Sequence, residues 1–240
     1  MSEIREIVKI GPHRLYLGDA YAIRPTLGWM DADVTDPPFK FNAKGAGNMR
    51  KARIATRLIV EEQLDKGFDH RIINPLLCGA AVVFCHNDQI PEVAAHLKDS
   101  FHRFILGGWS KNNPMPVANK HYLYDTEYYF HAWSRGFEPQ GNIAQKRRFV
   151  SASVAPAKTF NHGTVKPDSV MDKIITNISG CTVCDPFMGT GSTGVAAIKA
   201  GLVFVGIEHN PEHFATAVSR LTQAYEAARS MAISWTAGGR

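Results

Sequence analysis

The amino-acid sequence predicts a doubly wound, mostly parallel α/β sheet, and three observations predict it. Residues 80–85, Ala-Ala-Val-Val-Phe-Cys, form an uninterrupted apolar run, as expected of a strand covered on both faces. Strand-like and helix-like segments alternate along the chain. At residues 182–194 a strand, a glycine-rich turn and a helix follow one another, the arrangement that brings backbone close to a ligand.

Taken in order, residues 13–17 read as a short strand ending at Gly18-Asp19-Ala20. Residues 33–35 form the next strand and run into a basic loop at 40–48, in which Gly45 and Gly47 confer mobility. Ile54, Leu58, Val60 and Leu64 suggest a helix reaching about residue 66. After the apolar strand, Pro91 opens a helix with Val93, Leu97 and Phe101 on one face. Strands follow at 103–106 and 127–133, with a polar loop, Trp109-Ser110-Lys111-Asn112-Asn113-Pro114, between them. Residues 134–160 have weak periodicity and basic charge and read as a short insertion in a single domain spanning 1–240. Asp168 is a plausible N-cap for a helix carrying Val170, Ile174, Ile175 and Ile178. Strands at 182–185 and 202–207 flank the glycine cluster. The last helix starts at Pro211 and aligns Phe214, Val218, Leu221 and Tyr225.

Composition excludes several classes. With 240 residues, 45% hydrophobic and 20% charged, the chain can bury a sizeable core. No apolar run approaches the ~20 residues of a membrane span. The charged start, Met1-Ser2-Glu3-Ile4-Arg5-Glu6, lacks the apolar core of a signal peptide, so the reading is cytoplasmic with reduced thiols. Cys181 and Cys184 form a lone C-x-x-C without a second pair, and none of the ten histidines sits in a metal-ligand pattern, so no metal is expected. The net charge of +5 permits a polyanionic partner. Its distribution says more: residues 37–60 contain no acid but hold Lys40, Lys44, Arg50, Lys51, Arg53 and Arg57. A second group, Arg135, Lys146, Arg147, Arg148 and Lys158, has only Glu138 against it. Each group could be a solvated face; the two together favour nucleic acid, with DNA the expected partner. A homodimer is left open.

Two stretches carry the chemistry. Asp36-Pro37-Pro38-Phe39 ends a strand, and its prolines lack backbone donors and hold the preceding residues extended. The Asp36 carboxylate and nearby carbonyls can accept hydrogen bonds beside the flat Phe39 ring, which suits a planar ring bearing an exocyclic amino group. Alone, the four residues would equally make a strand-ending turn with a core Phe. The second stretch is residues 185–194, Asp-Pro-Phe-Met-Gly-Thr-Gly-Ser-Thr-Gly, in which Gly189, Gly191 and Gly194 satisfy G-x-G-x-x-G. That pattern alone admits an NAD-dependent oxidoreductase. Glu208, at the end of the next strand, can accept from ribose hydroxyls of any adenosine cofactor. Asp185 separates the alternatives, since negative charge so near a pyrophosphate would be unfavourable, whereas a ligand ammonium would be welcome. Lys166 could meet a ligand carboxylate. An ammonium and a carboxylate on an adenosine-bearing ligand describe S-adenosylmethionine.

Asp36-Pro-Pro-Phe39, Asp185-Pro-Phe-Met-Gly-Thr-Gly191 and Thr164-Val-Lys166-Pro167 together resemble the S-adenosylmethionine-dependent DNA amino-methyltransferases. The motif order is similar to that of the circularly permuted β class, in which the catalytic motif precedes the cofactor motif. The resemblance covers residues 13–225 and implies a Rossmann-like methyltransferase sheet. It implies Asp19 and Ala20 near the cofactor adenine, Glu208 and His209 at the ribose, and Asp185, Pro186 and Phe187 at the methionine end. Gly189, Thr190 and Gly191 form the turn, and Thr164 and Lys166 approach the carboxylate. Asp36, Pro37, Pro38 and Phe39 become the catalytic residues, and residues 134–160 correspond to the target-recognition insertion. Two departures stand out: Phe39 replaces the family's commoner Tyr, and the insertion is short. The implied activity is methyl transfer to the exocyclic nitrogen of a flipped DNA base, adenine N6 favoured and cytosine N4 the alternative. RNA methylation and a catalytically silent DNA-binding protein are weaker readings. The order of motifs further predicts that the helix at 211–228 packs near residues 10–20.

Overall fold

One nine-stranded sheet organises the described residues, 4–40, 67–114, 122–154 and 166–238 of a computed structural model. Its strands are β1 (Ile4–Ile10), β2 (His13–Gly18), β3 (Met30–Thr35), β4 (Cys78–Cys85), β5 (Arg103–Lys111), β6 (Thr126–Trp133), β7 (Phe149–Ala152), β8 (Thr182–Asp185) and β9 (Val203–Glu208). Their spatial order is β1-β2-β9-β8-β3-β4-β6-β5-β7. The run β2-β9-β8-β3-β4 is parallel throughout. β6 is antiparallel to β4 and β5, β7 is parallel to β5, and β1 forms an antiparallel hairpin with β2. The helices are α1 (Ala20–Ile23), α2 (Ile90–Ser100), α3 (Asp168–Thr176), α4 (Ser192–Lys199) and α5 (Pro211–Gly238).

Both faces of the sheet are covered, and β4 shows why the sequence demands it. All eight of its residues are buried. Alternation sends Ala80, Val82 and Phe84 into one core, with Val170, Ile174, Ala197 and Leu221 of α3, α4 and α5. Ala81, Val83 and Cys85 enter the other, with Ile23, Val93 and Leu97 of α1 and α2. The doubly wound architecture expected from the sequence is therefore present.

α5 packs on the β1–β2 hairpin, as the motif order predicted. The Tyr225 ring meets His13 edge-on at 5.4 Å. Gly11, at φ +56, makes the hairpin turn, and a Cβ there would fall 2.3 Å from the Tyr225 ring. His13 is fixed in turn, its Nδ1 accepting from the Phe204 N–H at 3.1 Å.

Several elements differ from the sequence reading. β1 was not foreseen: it is an edge strand with one half-buried face and three exposed positions in its centre. Trp109, Ser110 and Lys111 belong to β5 rather than to a loop, because Trp109 is buried with its Nε1–H donating to Ala152 O at 2.9 Å. The 134–160 stretch contributes β7 to the sheet edge. Pro167 caps α3 and Asp168 is its first residue, with Oδ2 accepting from Lys199 at 2.7 Å. The helix expected at about 54–66 lies outside the described residues, as do Lys44, Arg50, Lys51, Arg53, Arg57, Lys158 and Thr164. Among the described residues no helix is long and apolar enough to cross a membrane.

Candidate active site

Parallel register brings several strand ends to one edge. Leu17 lies opposite Glu208, Asp185 opposite Gly206, and Thr35 opposite Val83. The chain leaves each end through a residue singled out from the sequence, and a cleft of about 990 Å³ opens between them. Asp36, Pro37, Pro38 and Phe39 line one side. Asp19 and Ala20 from β2, Asp185, Pro186, Phe187, Gly189 and Thr190 from β8, Glu208 and His209 from β9, and Lys166 line the rest. Gly191 does not face the cleft. It caps α4 in the left-handed region at φ +86, and a Cβ there would lie 2.5 Å from Leu221. It is a glycine because the turn and α5 leave room for nothing larger.

At the β9 end, Glu208 is 6% exposed and both of its oxygens are engaged. Oε2 accepts from the Gly189 N–H at 2.9 Å and Oε1 from the Asn210 N–H at 2.7 Å, with His209 Nδ1 3.1 Å away. Burial alone would raise its pKa, but the His209 ring and the Asn210 N–H prevail and hold it below the usual carboxylate range. Oε2, with one donor, keeps a second lone pair for a ligand hydroxyl. At the β8 end, Asp185 is 2% exposed, accepting from Thr193 Oγ1 at 2.6 Å and Phe187 N–H at 3.0 Å. Burial pushes its pKa up to about 7. Its hydrogen-bond donors are neutral, and no basic side chain forms an ion pair with it among the described residues. A cationic ligand group in the cleft would complete this site. Arg220 of α5 steadies the turn between them, Nη1 donating to Thr190 O at 2.7 Å.

The β3 end is more heavily charged than the sequence suggested. Lys166, 6% exposed, forms an ion pair with Asp36 Oδ2 and lies 3.1 Å from Glu127 Oε2. Glu127 Oε1 is 2.8 Å from Lys111 Nζ. Four charges of alternating sign thus run Asp36, Lys166, Glu127, Lys111. The Lys166 ammonium also sits over the rings of Phe84 at 4.9 Å and Phe39 at 5.6 Å. Burial would depress its pKa, and the Asp36 and Glu127 carboxylates reverse that and raise it. Asp36 is shifted upward by burial, which outweighs the opposing pull of Lys166. Its Oδ1 is buried without a hydrogen-bond partner among the described residues.

Lys166, expected to await a ligand carboxylate, is instead held between two protein carboxylates. The reason is its burial: an ammonium so far from water requires counter-charges. Glu127, Lys111 and Phe84 were not read as site residues. The available signal was the acidic residue at the head of an otherwise apolar strand, Glu127-Tyr-Tyr-Phe. Of the basic candidates, Lys40 is exposed at the cleft's edge after Phe39 and lies 3.2 Å from Glu92. Lys146, Arg147 and Arg148 are exposed beside β7 and do not line the cleft. Among the described residues no group of His, Cys, Asp or Glu could hold a metal ion.

Comparison with known proteins gives concordant matches. A DNA methylase family model matches residues 30–219. The Type II methyltransferase M.XycI of Xanthomonas campestris pv. cyanopsidis is 29% identical over 126 residues, 47% of this chain and 42% of that protein. The DNA adenine methyltransferase YhdJ of Escherichia coli strain K12 is 43% identical over 63 residues, 25% of this chain and 21% of that protein. This chain thus spans less than half the length of these curated relatives. The crystal structure of the M1.HpyAVI–SAM complex superposes with a TM-score of 0.64 at 28% identity, covering 86% of this chain and 98% of that one.

Proposed function

Since the chain belongs to the DNA methylase family of N6/N4 methyltransferases, we propose that it transfers a methyl group from S-adenosylmethionine to the exocyclic amino nitrogen of a DNA base, adenine N6 foremost. One observation carries this reading: the Asp36-Pro37-Pro38-Phe39 turn and the Asp185–Glu208 pair open into the same cleft. Adenine is favoured over cytosine by the adenine-specific relative and by Asp rather than Ser at the head of the turn.

The residues present fit the cofactor. Asp185, a buried carboxyl lacking a cationic partner among the described residues, suits the methionine ammonium, and Glu208, with a lone pair left on Oε2, suits a ribose hydroxyl. Asp19 and Ala20 flank the adenine end, and Gly189 and Thr190 supply close backbone. When bound, S-adenosylmethionine supplies the methyl group on a positively charged sulfur. The chain's own residues do the positioning. A base inside a duplex is out of reach, so it is flipped out at a cost of a few kcal/mol, roughly. Phe39 stacks on it. Asp36 Oδ1 and the Pro37 carbonyl accept from its amino group and turn the nitrogen lone pair toward the methyl. Rate enhancement comes from this orientation and from acceptors fixed in advance in a water-poor cleft.

The permuted, β-class arrangement is part of the same reading. The catalytic turn precedes the glycine turn in the chain, and α5 packs against the hairpin that leads into Asp19. Lys40, Lys44, Arg50, Lys51, Arg53 and Arg57, with Lys146, Arg147 and Arg148 in the 134–160 insertion, hold the DNA backbone.

The test is incubation with methyl-labelled S-adenosylmethionine and mixed-sequence DNA, followed by nucleoside analysis. The expected product is N6-methyldeoxyadenosine. Label on deoxycytidine alone would move the target to cytosine N4, and no label on DNA despite cofactor binding would overturn the reading.

A further inference from the structure

The alternating charges behind Asp36 have a use beyond filling a buried corner. We infer that Glu127 is a positioning residue for the transfer: it holds the Lys166 ammonium on one oxygen of Asp36 and leaves the other free to meet the target amino group. The inference rests on the function proposed above and names a device within that site.

The geometry is specific. Lys166 lies between two carboxylates, on Asp36 Oδ2 and 3.1 Å from Glu127 Oε2. Glu127 is fixed from behind by Lys111, 2.8 Å from its other oxygen. An ammonium shared between two anions is drawn to a point between them. With Asp36 as its sole counter-charge it would settle against both Asp36 oxygens, where attraction is greatest. Glu127 opposes this by charge, its Oε2 standing 3.1 Å from the ammonium without a hydrogen bond, and Asp36 Oδ1 is the Asp36 oxygen left buried without a partner among the described residues. Phe84 and Phe39 hold the ammonium from the ring side, so its freedom lies along the line joining the two carboxylates.

The relay also sets the charge felt by Asp36. The groups facing it are Lys166, Glu127 behind it, Lys111 beyond, Asp185 across the cleft and the Cys85 thiol at the end of β4. Glu127 makes the Asp36 proton harder to remove, and Lys111 makes it easier. Neutralising the two should therefore move Asp36 in opposite directions, which a purely structural role for either would not do.

The experiment compares the parent with Glu127→Gln and Lys111→Gln. For Glu127→Gln, kcat should fall at least about tenfold, as expected when an acceptor is mis-set in the transition state, while the S-adenosylmethionine affinity stays within about twofold. The acid limb of its kcat profile should move to lower pH, and that of Lys111→Gln to higher pH. A readout independent of turnover is the NMR titration of the Asp36 carboxyl carbon, which should shift with the same opposite signs. An unchanged kcat in Glu127→Gln, a loss confined to cofactor affinity, or an Asp36 titration that ignores both substitutions would overturn the inference. Should Glu127→Gln fail to fold, Lys111→Gln carries the titration alone, and no upward shift overturns it. If the parent itself transfers no methyl to DNA, the proposed function falls and the carboxyl titration still judges the relay.

Discussion

Arg24 and Asp33 form an ion pair in which neither side chain reaches solvent. Arg24 Nη2 lies 2.9 Å from Asp33 Oδ1, and Nε donates to both carboxylate oxygens. Two further guanidinium hydrogens go to the carbonyls of Gly28 and Leu77, at 2.9 and 2.8 Å. The pair thus pins the segment before β3 to the entry of β4, three residues upstream of Asp36. Arg24→Leu should destabilise the protein by about 3–5 kcal/mol, because it leaves a buried carboxylate unpaired. The double variant Arg24→Leu/Asp33→Leu should recover much of that loss. Denaturant unfolding of both variants measures the difference; equal losses would show that burial of the lone charge is not the cause.

Asp36 should be indispensable for turnover and dispensable for cofactor binding. Asp36→Ala is expected to lose at least about a hundredfold to a thousandfold in rate, the value of one oriented group in a water-poor site. Asp36→Asn keeps an acceptor oxygen and should lose distinctly less. Methyl transfer and cofactor titration on each variant check this. Near-normal turnover in Asp36→Ala would reduce the residue to a strand end.

Asp185 predicts a pH dependence with a definite sign. Burial raises its pKa from 3.8 to about 7, so between those values the folded chain holds a proton that the unfolded chain has released. Its contribution to stability is therefore fully present at acid pH and declines as pH rises toward 7, at up to about 1.4 kcal/mol per unit. Asp185→Asn lacks the titrating group, so its stability relative to the parent should improve from pH 5 to pH 7.5. Urea midpoints at the two pH values give the comparison. A ligand ammonium that favours the ionised form should also bind the parent more tightly over the same rise.

The basic stretch after Phe39 should act on phosphate. Neutralising Arg50, Lys51 and Arg53 together is expected to weaken DNA binding and flatten its salt dependence, by roughly 0.9 in slope for each lost phosphate contact. Cofactor affinity should barely change. An unaltered slope in binding isotherms over a salt series would make the stretch an ordinary solvated face.

Legibility followed the range of the physics. β8, the turn at Gly189 and α4 could be read from consecutive residues, because apolar run, glycine and helix start are local signals. Asp36 and Glu208 could be placed at strand ends for the same reason. What could not be read was which charges are buried together. Lys166 has its partners 130 positions away at Asp36 and on another strand at Glu127. Asp33 looks like any polar residue in a strand until Arg24 closes on it. β1 escaped because an edge strand needs only one apolar face, and its charged centre resembles a tail. β5 was cut short at Leu106 because Gly107 and Gly108 imitate a loop. They are glycines because the Tyr129 and Phe149 rings stand where their side chains would be.

The hairpin under α5 also sets a clock. β2 has β9 as its parallel neighbour, and the contact from Phe204 to His13 spans 191 residues. On a ribosome adding about 5–20 residues per second, β2 therefore leaves the tunnel some 10–40 s, roughly, before its partner exists. A two-stranded hairpin is marginal alone, so during that interval β2 has an open edge and the Asp19 end of the cleft has no wall. Assembly of this half of the cleft therefore waits for β9, and no ligand can be held between the β2 and β9 ends until that strand has been made.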